Sequence, residues 1–200
     1  MKLKRIAALL GAFTIASSLF IAGCGNTKTS NNDKVWRVGT DATYAPFGFK
    51  DKDTGKLDGF DIDIINAIAK EEGIEADIQN LNFDALLPAL QSNTIDIAIS
   101  DMTISEDRAK SVDFSNPYYI AGNGLVVNVD NTTIHSFKDL EGKRIGVSIG
   151  STGAEIASKI PNADVRQFNN IVDAFLELEN KGVDVVINDT PVNEYYVNNK

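Results

Sequence analysis

The sequence has little cysteine and little histidine: one of each, Cys24 and His135, far apart along 200 residues. A single cysteine excludes an intramolecular disulfide, and no group of residues has the spacing of metal ligands, so neither a metal nor another cofactor is predicted. Positive charge is also scarce, because 19 Lys and Arg against 28 Asp and Glu give a net charge of -9. Without a basic stripe to neutralise phosphates, the chain is not expected to bind nucleic acid. A small cationic or zwitterionic ligand is compatible with this charge.

The N-terminal 23 residues have the pattern of an export signal. Three basic residues among the first five precede a largely apolar run over 6–23, and the first acidic residue is Asp33. A permanent membrane helix is the alternative, because the run has the length of a short span, but hydroxyl residues interrupt it. The stretch LFIAGC (19–24) resembles the lipobox of bacterial lipoproteins, which is cut before a cysteine that carries lipid.

We therefore predict a lipoprotein signal peptide over 1–23 and a lipid on Cys24, which becomes the first residue of the mature chain. Two acyl chains there give stable anchoring, so the expected location is extracytoplasmic and attached to the cell membrane. Residues 24–34 are polar and rich in Asn, Thr and Ser, and are predicted to form a flexible tether.

From Val35 onward, patterns typical of strands alternate with patterns typical of helices. This alternation implies crossover units and parallel sheets. Two such series are joined by an extended apolar segment, which predicts a first lobe over 35–123, a hinge strand over 124–129 and a second lobe over 130–200. Pro88 is expected near the first turns of its helix, where a missing N–H costs least. The predicted strands are 35–40, 95–100, 143–149, 165–168 and 183–188, and the predicted helices are 59–73, 82–93, 154–160, 171–180 and 190–197.

Polar residues follow the predicted strands at their carboxyl ends, where open α/β sheets bind their ligands. An arginine and free backbone N–H groups suit a carboxylate, and an aspartate suits an ammonium, so the collection fits a zwitterion. The turn GSTG (150–153) is not a P-loop, because no Lys-Ser/Thr pair follows it. The strand-end residues are Asp41, Thr43, Tyr44, Ser100, Asp101, Thr103, Arg108, Gly150, Ser151, Thr152, Gly153 and Asp189.

Arg108 stands at an unusual place for a cation. Ser105 is a plausible N-cap, and Glu106 and Asp107 then fill a first helical turn, where the helix dipole favours anions. One interpretation is a surface arginine paired with Glu106 or Asp107. The other is an arginine whose partner is a ligand.

Six motifs resemble, in order and spacing, the polar amino-acid-binding proteins of ABC importers, that is, solute-binding protein family 3. The resemblance runs from about Val35 to Val197 and implies a two-lobed α/β fold of the periplasmic-binding-protein type II, with sheets flanked by helices and a ligand cleft between the lobes. It also implies a monomer that hands a free amino acid to ABC permease subunits and is not an enzyme. The motifs are GTDATYAPFGF, GFDIDIINAIAK, NFDALLPALQS, IDIAISDMTISEDRAKSVDFSNPYY, IGVSIGSTGAE and VINDTPV.

The resemblance also implies a role for individual residues. Arg108 matches the arginine that takes the ligand's α-carboxylate through both guanidinium arms, helped by Thr103, Thr152 and Gly153. Asp189 matches the acid that holds the α-ammonium, although it could be only an N-cap. For the ligand's side chain, Tyr44 and Phe83 match the aromatic pair that sandwiches it, Asp41 matches the acid at its far end, and Ser148 faces the cleft. The alternatives are core aromatics for the pair and a turn acid for Asp41.

Two features depart from the family pattern. Asp101 stands where the family has a small residue, and we expect it near Asp41 at the distal end of the pocket, where two carboxylates favour arginine, lysine or ornithine over glutamine. Family members also continue past the equivalent of Lys200 to finish the first lobe, so the expectation is either that the sequence is a fragment or that the protein lacks half of its hinge. Two other functions remain open: an exported enzyme like cyclohexadienyl dehydratase, and the sensing domain of a signalling receptor.

Overall fold

The computed structural model describes residues 35–199, so the predicted signal peptide, the tether and Cys24 lie outside the described residues. No helix within this range is long and apolar enough to cross a membrane. The strands are β1 Val35–Thr40, β2 Thr43–Tyr44, β3 Gly48–Lys50, β4 Leu57–Asp58, β5 Glu75–Asn80, β6 Ile97–Ala98, β7 Asn123–Val127, β8 Arg144–Ser148, β9 Asp164–Phe168 and β10 Val185–Asp189. The α-helices are α1 Phe60–Glu72, α2 Phe83–Gln91, α3 Glu106–Ala109, α4 Thr152–Ala157, α5 Ile171–Glu179 and α6 Thr190–Asn198.

The first lobe is built on a parallel sheet with the strand order β5-β1-β6. Val38 in the central strand β1 pairs with Ile78 on one side and with Ile97 on the other. The buried side chain of Val38 packs with Ile65 of α1, so the helix covers this sheet. Gly73 ends α1 in a left-handed conformation, with φ 65°, which glycine adopts without strain. The carboxyl ends of β1 and β6 therefore lie side by side at one edge of the sheet.

The second lobe contains a four-stranded sheet with the order β7-β10-β8-β9. All five residues of β10 are buried, because helices cover both faces of the sheet. One core contains Leu140 and Ile145, and the other contains Phe175 of α5. Strand β7 pairs antiparallel with β10 along its whole length, so residues 123–127 belong to this sheet. The hinge role of residues 124–129 stays a prediction.

A small antiparallel sheet, β2-β3-β4, connects the first lobe to the core of the second. Phe47, between β2 and β3, is buried in the same cluster as Phe175 and Val186. Gly59 allows the chain to pass close to this point, since a Cβ there would lie 2.3 Å from the carbonyl oxygen of Phe47 and its φ is 125°. The small sheet thereby holds Tyr44 against the end of β10.

The two-lobed α/β architecture and its parallel strands are confirmed. Strand β5 and the small sheet are not predicted by the sequence pattern. The expected place of Pro88 is wrong: it is the sixth of the nine residues of α2, inside the helix. Its missing N–H leaves one carbonyl of the preceding turn without the usual helical bond.

Candidate functional site

The carboxyl ends of the strands from both lobes meet around one polar cavity. Four of the predicted residues, Thr43, Ser100, Gly150 and Gly153, do not line it, and all the others do. Three carboxylates and one guanidinium therefore share a small space. The lining residues are Asp41, Tyr44, Phe83, Asp101, Thr103, Arg108, Ser148, Ser151, Thr152 and Asp189.

Arg108 is a buried residue and not a surface arginine, since only 7% of it is exposed. Ser105 caps α3 by accepting from the backbone N–H of Arg108, as the sequence predicts. The guanidinium donates to the carbonyl of Thr103 at 2.8 Å and to the carbonyl of Gly150, in the second lobe, at 2.9 Å. Asp107 instead pairs with Lys110 on the surface. The side chain of Arg108 is therefore directed into the cavity.

Phe83 lies next to this guanidinium, because the Cζ atom of Arg108 stands 5.5 Å from the centre of the phenyl ring. A cation over an aromatic face is held by the ring quadrupole. Phe83 is the first residue of α2, and it lines the cavity instead of filling a core.

Tyr44 bridges the two lobes through its hydroxyl group. The oxygen lies 2.6 Å from Oδ2 of Asp189 and 2.8 Å from the side-chain amide of Asn188. A hydroxyl has one hydrogen, which we assign to the charged acceptor, Asp189. The Asn188 atom that faces the hydroxyl is Oδ1, and the buried Nδ2 of Asn188 has no hydrogen-bond partner within residues 35–199. The hydroxyl of Tyr44 therefore contacts two side chains at the end of β10.

Asp189 occupies the N-cap position of α6, but its side chain makes no capping hydrogen bond. The alternative of a simple cap is therefore not what the carboxylate does. Burial raises the pKa of Asp189, while the Tyr44 hydroxyl and the positive charge of Arg108 act to lower it.

Asp41 is both a turn residue and part of the cavity wall. Its Oδ1 accepts from the backbone N–H of Thr43 at 2.9 Å and from the hydroxyl of Thr43 at 2.7 Å, which fixes the turn after β1. Its own N–H donates to Oγ of Ser100. Ser100 therefore holds the backbone of Asp41 and does not itself line the cavity. Burial raises the pKa of Asp41.

Asp101 has a left-handed backbone, with φ 46°, which non-glycine residues seldom adopt. Its N–H lies 2.9 Å from Oδ2 of the buried Asp61 and 3.0 Å from the hydroxyl of Tyr118, and these contacts hold the turn. Burial and then the charges of Asp189 and Asp61 raise the pKa of Asp101 to about 8. Burial raises the pKa of Asp61 to about 6. The charge of Asp84 also raises the pKa of Asp41, whereas the charges that raise the pKa of Asp101 are those of Asp189 and Asp61.

The second lobe contributes the turn before α4. Ser151 caps this helix by accepting from the N–H of Ala154 at 3.1 Å, and Thr152 accepts from the amide of Asn123. Gly153 lets the helix approach β10, since a Cβ there would lie 2.7 Å from the carbonyl oxygen of Ile187. Gly153 therefore sets the position of the turn without lining the cavity.

The sequence prediction places Ser151 among the strand-end residues but gives it no role with the ligand, and it does not identify Asp61, Asn188 and Tyr118 as supports. No sequence signal connects Asp61 with Asp101, because the two meet only through the fold. No cluster of potential metal ligands occurs among the residues with described positions.

Fold and cavity together define a two-lobed α/β protein with a polar cavity between its lobes. The sequence profile of the bacterial extracellular solute-binding proteins, family 3, matches residues 36–196. The chain belongs to this family.

Three individual proteins illustrate the similarity. A probable histidine-binding protein of Campylobacter jejuni is 40% identical over 193 residues, which are 93% of this chain and 73% of that protein. The structure of an ancestral arginine-binding protein bound to arginine is 46% identical, with a TM-score of 0.80 over 82% of this chain and 74% of that one. The structure of an ancestral arginine-binding protein bound to glutamine is 46% identical, with a TM-score of 0.77 over 82% of this chain and 73% of that one.

Proposed function

We propose that this protein is the substrate-binding lipoprotein of an ABC importer, which captures a polar amino acid outside the cytoplasm and delivers it to the permease subunits. The observation that supports this most is the joint presence of Arg108 and Asp189 in one buried cavity between two lobes. A guanidinium and a carboxylate facing the same space complement the two charges of a free amino acid. The named relatives are binding proteins, which also fits a protein that is not an enzyme.

In this proposal the α-carboxylate binds to Arg108, with Thr103 and the N–H groups at the start of α4 as further donors. The N–H group of Thr152, which lines the cavity, is available for this, since the first N–H groups of a helix have no partner inside it. The α-ammonium binds to Asp189. Ser148, at the end of β8 in the second lobe, also lines the cavity.

The side chain of the ligand lies between Tyr44 and Phe83 and extends toward Asp41. Arginine, lysine, ornithine and glutamine are the proposed ligands, because each has an N–H donor at the far end that a carboxylate can accept. Ligands with an acidic side chain should be rejected, since like charges in a closed cleft cost several kcal/mol. Lipid on Cys24 keeps the protein at the cell membrane.

Isothermal titration calorimetry of the mature protein with each of the twenty amino acids tests the proposal. We expect saturable binding of at least one basic amino acid or of glutamine, and none of aspartate or glutamate. Preferential binding of an acidic amino acid, or the absence of binding by all twenty, would refute it. Incubation with prephenate or arogenate, followed by absorbance, provides the test for an enzyme, and we expect no turnover.

A further inference from the structure

Two carboxylates, those of Asp101 and Asp189, share one end of the cavity. Both residues line it together with Tyr44, whose hydroxyl donates to Asp189 at 2.6 Å, and the negative charges of both raise the pKa of Tyr44. Asp101 reaches this position because its left-handed backbone is held by Asp61. We call Asp101 and Asp189 the carboxylate pair.

No cation compensates Asp101 in the arrangement of residues 35–199. Asp61 faces it from α1, Asp189 from β10, Tyr44 from β2 and Tyr118 from the segment before β7, and all four are acids or phenols. Its Oδ2 atom is buried and has no hydrogen-bond partner among these residues.

The guanidinium in the cavity does not bond to either member of the carboxylate pair. Both recorded donations of Arg108 go to backbone carbonyls, those of Thr103 and Gly150. The positive charge of Arg108 nevertheless acts to lower the pKa of Asp189. The side chain of Asp189 accepts one hydrogen bond, from the neutral hydroxyl of Tyr44. The pair therefore has an excess of negative charge at its own end of the cavity.

Asp189 is buried and Asp101 has a buried Oδ2, and two such carboxylates without a counter-charge cannot both stay ionised, so one of them keeps a proton. A cationic amino group placed between them supplies the counter-charge, so both carboxylates can then be ionised. We infer that Asp101 and Asp189 together bind a cationic amino group of the ligand, and that Asp101 releases one proton to solvent when this group binds. This inference rests on the function proposed above.

The atoms balance in this step. The O–H bond of the Asp101 carboxyl breaks, and its proton passes to water or buffer. The ligand's ammonium group keeps its three hydrogens and donates one to Asp101 and one to Asp189. Tyr44 can keep its bond to Asp189, because an ionised carboxylate accepts about four hydrogen bonds.

Calorimetry in two buffers of different ionisation enthalpy, phosphate and Tris, measures the released protons at pH 7 with the tightest-binding amino acid of the panel. The wild type should release between about half a proton and one proton, as expected for a pKa of about 8. Asp101→Asn, which keeps the shape and removes the titration, should release close to none. Glu106→Gln removes an exposed carboxylate from the same segment and should behave as the wild type.

The dependence of affinity on pH gives a second reading. Binding by the wild type should tighten between pH 6 and pH 8, by at most about tenfold per pH unit for one proton. Binding by Asp101→Asn should change little over that range. Where the asparagine variant fails to fold, Asp101→Gly replaces it, since glycine suits the positive φ at this position.

The possible outcomes distinguish a failure of the role given to Asp101 from a failure of the proposed function. Binding of an amino acid without proton release, or with equal release by wild type and variant, overturns the role of Asp101 and leaves the proposed function standing. Binding by none of the twenty overturns the proposed function and this inference with it.

Discussion

Arg108→Lys should weaken amino-acid binding more than any other conservative change in the cavity. In the wild type, one planar group reaches the Thr103 carbonyl at 2.8 Å and the Gly150 carbonyl at 2.9 Å while it lies 5.5 Å from the centre of the Phe83 ring. Five N–H donors belong to this group, so three remain for a ligand carboxylate. A lysine ammonium is a point charge with three donors, and it cannot form a two-armed bond with a carboxylate.

The size of the effect follows from the burial of the group. Breaking one side of a desolvated, hydrogen-bonded charge pair costs about 2–5 kcal/mol, which is a loss of affinity of roughly 30-fold to a few thousand-fold. Titration calorimetry of both proteins with the same amino acid measures it, and thermal unfolding checks that the variant is folded. Lys110→Arg, an exposed change in the residue that caps the same helix, is the control and should alter affinity less than twofold. A change below threefold for Arg108→Lys would show that the guanidinium does not hold the ligand.

Three further predictions concern stability and location. Phe175→Ala should lower the free energy of unfolding by about 3–5 kcal/mol, because this residue is 1% exposed. Leu176→Ala, at a residue that is 48% exposed, should lower it by less than about 1 kcal/mol. Equal urea midpoints for the two variants would contradict the assigned core. The ligand-free protein should lose stability as pH rises from about 5 to about 8.5. Over this range the folded state keeps protons on Asp61 (pKa about 6) and Asp101 (pKa about 8) that the unfolded chain has already released. A melting temperature that rises over this range would refute the reasoning. Mass spectrometry of the membrane fraction should find Cys24 as the first residue of the mature chain, carrying lipid, and an intact N-terminus would exclude lipid on Cys24 as the anchor.

Much of the site is predictable from the sequence because it follows local rules. Strands β1 and β10 are apolar runs of ordinary length, and the residues directly after them must lie at the ligand-binding edge of the sheets. Ser105 and the acidic turn after it predict the short helix α3, which leaves Arg108 without a partner on its own helix.

Other parts depend on contacts between distant residues. Strand β5 is half polar, and only its parallel pairing with β1 makes it a strand. The strands of the small sheet are two or three residues long, and Phe47 orders them by entering the core of the other lobe. The direction of the Asp101 side chain depends on Asp61, forty positions away in the chain. No periodicity or capping rule contains that information.

The hydrogen bonds that already cross the cavity bear on how a ligand would act on the two lobes. Tyr44 donates to Asp189 across the lobes, and Arg108 donates to Gly150 across them. If a ligand had to displace these bonds, each new bond would replace an old one and the net gain would be small. Arg108 still has three free donors, however, and Asp189 still has lone pairs beyond the one that Tyr44 uses. A bound amino acid would therefore add its bonds to those that Tyr44 and Arg108 already make between the lobes, so ligand binding would stabilise this arrangement of the two lobes.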